Sequence, residues 1–391
     1  MHILSILTSF TAGGAEVLVS NLSGAFVGAG HPSTVVALSP AAAIGNDAGI
    51  ERAQRAKIAA EGGATRLLGI SDRRNVIAGV WAMRRLLRAE RPDIVHAHTA
   101  RALPMLWLAG VRCPVVLTHH NSKLSFPPQM FALFDRIVGS YVAIGRDCEK
   151  LLAAHVRRPV TPIVNAAGAG FLAAEGRKAI GEPATILAVG ALTDQKNYPM
   201  LIEAAARLRH RCAARQHFRL RIAGGGALMA DLEARAAALN AGKYVELLGN
   251  RSDVAELMRG ADLFVNASHY EGMPIAMLEA LQSALPVVAT DVAGTRDLIV
   301  SGHNGLLVRP GDPDALAAAL MTLLSQPDIY ARLSAAALAT GRRYELGTCA
   351  RAHLDLYARL RRGAPGGAAA GQAGAGRGAM MPRGATPVQK D

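Results

Sequence analysis

Residues 185–210 read TILAVGALTDQKNYPMLIEAAARLRH: a short apolar run, a polar loop and a helical stretch in succession. The run at 185–190 is typical of a buried strand, and the helix is predicted to begin near Tyr198, with Pro199 in its first turn. Similar units recur in both halves of the chain, with apolar runs at 2–7, 33–38, 93–98, 263–268 and 286–290. Strands that alternate with helices favour parallel sheets, and two such series predict an α/β protein with two doubly wound, Rossmann-like domains.

The length and a change in composition place the domain boundary. A chain of 391 residues suits two domains better than one. Residues 168–183 are rich in Gly, Ala and turn residues, which favours a link there. We therefore predict domains at 1–170 and 171–362, with a final helix of the second domain that packs back on the first. Residues 363–391 form a Gly- and Ala-rich tail that is predicted to be disordered.

Composition argues against a membrane-spanning or disulfide-rich protein. Hydrophobic residues make up 51% of the chain, yet no run of about 18 uninterrupted apolar residues occurs, so no transmembrane helix is predicted. The start lacks the basic region of a signal peptide. We therefore expect a cytoplasmic location with reduced thiols. The four cysteines lie far apart and show no zinc-binding spacing: Cys113, Cys148, Cys212 and Cys349.

Positive charge is concentrated in the first half. Residues 1–180 carry 20 Lys/Arg and 11 Asp/Glu, whereas residues 181–360 carry 18 of each. A net charge of +9 is expected to attract an anionic partner, and nucleic acid, a membrane surface and a phosphorylated acceptor all have suitable chemistry. The alternative is an ordinary solvated surface in an Arg-rich protein.

Loops after strands are the first place to look for a site, because open parallel sheets bind ligands beyond the carboxyl ends of their strands. Gly13 and Gly14 follow the first strand and open a helix, where free backbone N–H groups can hold a phosphate. A tight turn without a ligand is the alternative. Lys196 lies beside the start of the helix at Tyr198, where a cation opposes the helix dipole and favours an anionic ligand.

The segment after the strand at 263–268 is the most informative. Glu271 precedes a helix that is predicted to begin near Pro274, and Glu279 lies within that otherwise apolar helix. A carboxylate on such a helix is costly unless a polar partner compensates it, and the two hydroxyls of a ribose would do so. The alternative places Glu279 on a solvent-facing side.

Glu271 and Glu279 match the E-x7-E signature of the retaining GT-B glycosyltransferases of family 4, also called group 1. The chain resembles this family over roughly residues 1–345. Further matching segments include GGAE at 13–16, PDIVHAH at 92–98, AVGALTDQKN at 188–197 and NGLLVRPGD at 304–312.

The resemblance implies two domains that face a cleft, with the donor nucleotide on the second and the acceptor on the first. It implies that Glu279 holds the ribose hydroxyls and that Glu271 contacts the transferred sugar. His120 would lie beside that sugar, with His119 as the alternative, and Arg251 would lie near the base. The backbone N–H groups of the segment from Gly272 to Ala276 would hold sugar and phosphate, which makes these residues candidates: Gly272, Met273, Ile275 and Ala276.

Three positions depart from the family pattern. Ala191 stands where the family commonly has a phosphate-binding Arg. Asp297 stands where Glu is frequent, and Asn165-Ala166 stands where Asn-Gly is frequent. One phosphate cation is therefore missing or supplied from elsewhere.

The implied activity is retaining transfer of a hexose from a nucleoside-diphosphate sugar to a lipid-linked or saccharide acceptor. Lys196, helix N-termini and the Gly13-Gly14 amides would stabilise the leaving group without a metal or other cofactor. His96 and His98 are interpreted as packing residues rather than metal ligands. We expect no nucleic-acid partner, and peripheral contact with an anionic membrane. The alternatives are a GT-B epimerase and a non-catalytic protein that binds nucleotide sugars.

Overall fold

The computed structural model describes residues 1–70, 76–121, 124, 126–212 and 217–363. The predicted disordered tail lies outside the described residues, apart from Gly363. In the part of the chain that is described, none of the helices is both long and apolar enough to cross a membrane.

The first domain is built on one parallel sheet. Its strands are β1 (Ile3–Leu7), β2 (Ser33–Ala37), β3 (Ala64–Leu67), β4 (Ile94–Ala97), β5 (Val115–His119), β6 (Val138–Ala143) and β7 (Val160–Pro162). Their order in the sheet is β3-β2-β1-β4-β5-β6-β7. The helices are α1 (Gly14–Gly28), α2 (Ala48–Ala60), α3 (Val76–Glu90), α4 (Ala102–Leu108), α5 (Met130–Phe134) and α6 (Arg146–Ala153).

The second domain repeats the plan. Its strands are β8 (Ala184–Val189), β9 (Phe218–Ala223), β10 (Val245–Gly249), β11 (Leu263–Asn266), β12 (Val287–Thr290) and β13 (Gly305–Val308), in the order β10-β9-β8-β11-β12-β13. The helices are α7 (Tyr198–Arg211), α8 (Met229–Ala238), α9 (Val254–Arg259), α10 (Ile275–Gln282), α11 (Ala293–Arg296), α12 (Pro313–Ser325), α13 (Pro327–Gly341) and α14 (Leu346–Gly363).

Both sheets are doubly wound, as the alternation of apolar runs and helices predicted. The strand order reverses between β1 and β4 in the first sheet and between β8 and β11 in the second. Loops that leave neighbouring strands at such a reversal diverge and open a crevice at the carboxyl edge. The fold therefore creates one crevice on each domain, and the loops that carry Gly13 and Lys196 leave the sheets there.

The last helix, α14, crosses from the second domain to the first. It packs against α1, and its buried side chains join the apolar cluster that covers one face of the first sheet. Tyr357 is fully buried there and meets Phe26 edge to face, with ring centroids 5.9 Å apart. The apolar face of the first domain is thus completed by α14.

Candidate active site

A cleft of about 1370 Å³ lies between the two domains. Its walls come from the loop after β1, from α1 and α2, and from the loops after β8, β10 and β11. All eleven residues that sequence reasoning selected as site candidates line this cleft: Gly13, Gly14, His120, Lys196, Arg251, Glu271, Gly272, Met273, Ile275, Ala276 and Glu279.

Glu271 is the centre of a polar cluster at the end of β11. Its side chain is only 5% exposed. The Oε1 atom accepts hydrogen bonds from Lys196 Nζ at 2.6 Å, from Ser268 Oγ at 2.7 Å and from Asn266 Nδ2 at 3.2 Å. A buried carboxylate is stable only with such partners. The cluster therefore holds the side chain of Glu271 in one position at the cleft wall.

Lys196 reaches Glu271 because the loop after β8 folds tightly. Gly190 has φ +156°, and residues Asp194–Lys196 form a short 3₁₀ turn. Asn197 then adopts the left-handed conformation at φ +50°, and α7 begins with Pro199 in its first turn. The lysine side chain thereby crosses to the neighbouring strand. Sequence reasoning placed Lys196 at the ligand but did not foresee this ion pair, in which Glu271 already balances the lysine charge.

Glu279 lies on α10 with its side chain in the cleft. The residue is 6% exposed, and burial raises the pKa of its carboxyl group to about 8, although the charge of Lys57 opposes the rise. Among the described residues, no hydrogen-bond partner compensates this carboxylate. The solvent-facing alternative for Glu279 does not apply, since the side chain is buried. An uncompensated carboxylate at a cleft wall is suited to accept hydrogen bonds from ligand hydroxyls.

Lys57 was missed by sequence reasoning. It projects from α2 into the cleft, donates a hydrogen bond to Asn21 Oδ1 of α1, and lies 3.6 Å from Glu61. Lys57 and Glu279 are more than 220 residues apart along the chain, so no local sequence pattern indicated that they lie near each other. Only the closure of the first domain over α10 brings the two charges near each other.

Backbone groups of the two domains meet at the base of the cleft. A Cβ atom at residue 272 would lie 2.5 Å from the carbonyl oxygen of His120, so Gly272 is required by this close approach. A Cβ atom at residue 14 would be in ordinary van der Waals contact with the side chain of Ile275 at 3.4 Å, so the start of α1 lies beside the start of α10. Asn165 Nδ2 donates to the carbonyl oxygen of Met273 at 3.1 Å. The segment 272–276 is therefore held by the first domain.

The structure distinguishes His120 from His119. His119 ends β5, is buried and packs edge to face against Phe126, whereas His120 lines the cleft. His120 Nε2 lies 2.9 Å from His98 Nδ1. Burial lowers the pKa of His120 to about 3, helped by the nearby His119. At neutral pH the ring is therefore uncharged.

The three departures from the family pattern have distinct locations. Ala191 lines the cleft on the β8 loop, and its methyl group brings no charge there. Asp297 accepts a hydrogen bond from the backbone N–H of Arg146 at 2.9 Å and pairs with its guanidinium at 3.2 Å. Asp297 and Asn165 therefore both link the two domains.

Arg251 follows β10 at the cleft mouth and makes a two-pronged ion pair with Asp253.

The described residues contain no group of three or more His, Cys, Asp or Glu side chains arranged to hold a metal ion. The roles assigned to the individual cleft residues stay predictions.

Two family models divide the chain between them. One, described as Glycosyl transferases group 1, matches residues 174–340, and the other, Glycosyltransferase Family 4, matches residues 12–163. The D-inositol 3-phosphate glycosyltransferase of Thermobispora bispora is 28% identical over 322 residues, 72% of this chain and 74% of that protein.

A shorter match joins this chain to the UDP-Gal:alpha-D-GlcNAc-diphosphoundecaprenol alpha-1,3-galactosyltransferase of Escherichia coli. It is 36% identical over 101 residues, 26% of each chain. The crystal structure of Anabaena Alr3699/HepE in complex with UDP and glucose has a TM-score of 0.75 at 18% identity, and the match covers 92% of this chain and 100% of that one. The chain belongs to the family 4, group 1, glycosyltransferases and has their GT-B architecture.

Proposed function

We propose that this glycosyltransferase moves a hexose, with retention of anomeric configuration, from a nucleoside-diphosphate sugar to a lipid-linked acceptor in bacterial envelope or extracellular polysaccharide synthesis. The observation that carries the proposal is the placement of Glu271 and Glu279 at the two ends of one segment, both facing one interdomain cleft. Glu271 can accept hydrogen bonds from sugar hydroxyls on one side of the N-terminus of α10, and Glu279 can accept them from ribose hydroxyls on the other side. That helix N-terminus favours the diphosphate between them.

The reaction breaks the bond between the anomeric carbon and the donor phosphate oxygen. A hydroxyl of the acceptor attacks the anomeric carbon from the same face, and its proton passes to an oxygen of the departing phosphate. Negative charge then builds on the nucleoside diphosphate, where Lys196 and the backbone N–H groups near Gly13 stabilise it. We propose that this stabilisation requires no metal ion.

The test is a donor screen followed by product analysis. Thermal shift with UDP-, GDP- and ADP-hexoses identifies the donor, because a ligand at 100 times its Kd stabilises a protein by about 2.7 kcal/mol. NMR of the product made with a polyprenyl-diphosphate glycan then reports the anomeric configuration. An inverted linkage would contradict retention. Epimerisation of the donor in the absence of an acceptor would favour the epimerase alternative. If the protein binds none of the donors, the proposal is contradicted.

The first domain also presents a surface suited to an anionic membrane. Ile77 is 75% exposed and Trp81 66% exposed on α3, one turn apart, and Arg85 and Arg88 continue the same exposed strip. The neighbouring α4 adds the exposed Trp107 and Leu108. Exposed tryptophan beside arginine is the pattern of helices that lie in the headgroup region. We propose that this surface rests on the cytoplasmic leaflet, where a lipid-linked acceptor is anchored.

We predict that the protein sediments with anionic vesicles, that less sediments with neutral vesicles, and that salt releases it. Each Lys or Arg near such a surface contributes about 1 kcal/mol, and salt screens that attraction. Trp81→Ser and Arg85→Gln should each reduce the sedimented fraction. Val300→Ser is the matched control, because Val300 is 62% exposed on the second domain.

The vesicle experiment can contradict the membrane proposal in two ways. Protein that stays in the supernatant with anionic vesicles at low salt would favour a soluble acceptor. Equal losses for Trp81→Ser and Val300→Ser would show that α3 is not the surface that contacts lipid.

A further inference from the structure

A row of aromatic polar side chains leads from the cleft into the first domain, from the half-buried His120 and His98 to the fully buried His96 and Tyr357. His120 Nε2 lies 2.9 Å from His98 Nδ1, and the ring of His98 lies against that of His96 with centroids 3.9 Å apart and planes tilted by 36°. His96 Nδ1 lies 2.6 Å from the hydroxyl oxygen of Tyr357. His96 Nε2 is held by Thr118 Oγ1 at 2.6 Å. Both ring nitrogens of His96 are thus fixed, and the row is anchored at its inner end.

The contact between His98 and His120 restricts the proton on each ring. Burial lowers the pKa of both histidines, so both are neutral near pH 7. A neutral imidazole has one N–H donor and one acceptor nitrogen. In a hydrogen bond between Nδ1 of His98 and Nε2 of His120, one ring must donate and the other accept. The direction of this hydrogen bond then sets whether Nδ1 of His120, the remaining nitrogen of a cleft-lining ring, carries the proton.

We propose that His98 is a positioning residue that holds the ring of His120 in one orientation and one tautomer, so that Nδ1 meets the sugar in a fixed protonation state. His120 lines the cleft, whereas His98 does not, so His98 can act on a bound sugar only through His120. Functional histidines are commonly oriented in this way: a hydrogen bond to one ring nitrogen fixes both the tautomer and the orientation of the ring. The anchored ring of His96 keeps His98 from turning away, because the two ring centroids are only 3.9 Å apart.

The first test reads the tautomer directly and needs no substrate. Protein labelled with ¹⁵N-histidine contains 12 histidines, and the signals of His120 are identified by their loss in His120→Gln. We expect one tautomer of His120 in the unaltered protein. In His98→Phe, which keeps an aromatic ring but removes the hydrogen bond, we expect a mixture of both tautomers. A mixture in the unaltered protein, or an unchanged single tautomer in His98→Phe, would overturn the proposal.

Two amide variants separate position from polarity. The amide of asparagine falls near the place of Nδ1, whereas the amide of glutamine falls near the place of Nε2. His98→Asn should therefore keep the single tautomer, and His98→Gln should lose it. Equal behaviour of the two variants would mean that His98 has only a packing role. His353→Phe is the control, because it alters the same buried group while Nδ1 of His353 has no hydrogen-bond partner in the described structure.

The kinetic consequence rests on the proposed glycosyl transfer. With the donor identified by thermal shift, His98→Phe and His98→Gln should lower kcat by about tenfold or more, the scale seen when an orienting partner of a functional histidine is removed. The Kd of the nucleoside diphosphate should not change. If no donor is found, the NMR result still decides the positioning role, so the two proposals fail separately. A weakened nucleotide Kd with an unchanged kcat would overturn the link to turnover.

Discussion

Replacing Lys196 by alanine is expected to lower turnover by roughly 100-fold or more, the scale for loss of one group that stabilises transition-state charge. The cleft loop that carries Lys196 has Ala191 where a second cation is common in the family, so no neighbour on that loop replaces the lost charge. Turnover is measured with the donor found by thermal shift. Lys178→Ala, which removes an exposed lysine that does not line the cleft, should leave turnover unchanged.

The ion pair with Glu271 requires one more variant. Removal of Lys196 leaves a buried carboxylate without its cation, which by itself destabilises the protein. Lys196→Ala combined with Glu271→Gln should recover the melting temperature but not turnover. If Lys196→Ala alone turns over at a near-normal rate, another basic residue holds the phosphates. If the double variant recovers turnover as well, the lysine serves only to balance Glu271.

At pH 8.5, where the carboxyl group of Glu279 is mostly ionised, replacing it by alanine is expected to weaken nucleoside-diphosphate binding by roughly 10- to 150-fold, which corresponds to loss of a charged hydrogen bond of about 1.5–3 kcal/mol. Calorimetry with UDP, GDP and ADP measures the change. A 2′,3′-dideoxynucleotide is the matched control ligand, since it cannot donate to Glu279 and should bind both proteins equally. An unchanged Kd for the natural nucleotide in a folded variant would contradict the ribose assignment.

Because the pKa of Glu279 is raised, both folding stability and nucleotide affinity should depend on pH, and the sign of each dependence can be derived. The carboxyl group titrates at about 8 in the folded protein and near 4.5 when exposed. Its contribution to folding stability is therefore fully present below pH 4.5 and is lost as the pH rises through 8. Nucleotide affinity should change in the opposite direction and increase from pH 6 to 8.5, because the ionised form accepts the ribose hydroxyls. Glu279→Gln should raise the melting temperature of the free protein at pH 8.5 and remove the pH dependence of binding.

The fold could be predicted because the sequence patterns that indicate its strands and helices are local. Each strand is a short apolar run and each helix follows within a few residues, so two doubly wound sheets could be predicted without knowledge of contacts. The cleft residues followed from the loops after strands, together with the family resemblance. Glu279 was recognisable because a carboxylate interrupts an apolar helix.

The contacts between distant elements could not be predicted in this way. Lys196 and Glu271 are 75 residues apart, and only the adjacency of β8 and β11 brings them together. The choice between His119 and His120 depends on where β5 ends, which neighbouring apolar residues do not determine. His98 was interpreted as a packing residue, and its contact with His120 depends on the pairing register of β4 and β5.

The crossing of α14 to the first domain has a consequence for how the protein is made. During synthesis, residues 1–170 leave the ribosome long before Tyr357, so part of the apolar face of the first domain stays uncovered until α14 has been made. Phe26 and Leu22 are then available for contact with other nascent chains. A fragment that ends before residue 346 would keep that exposed face permanently, and the first domain expressed alone should aggregate unless α14 is supplied as a separate peptide.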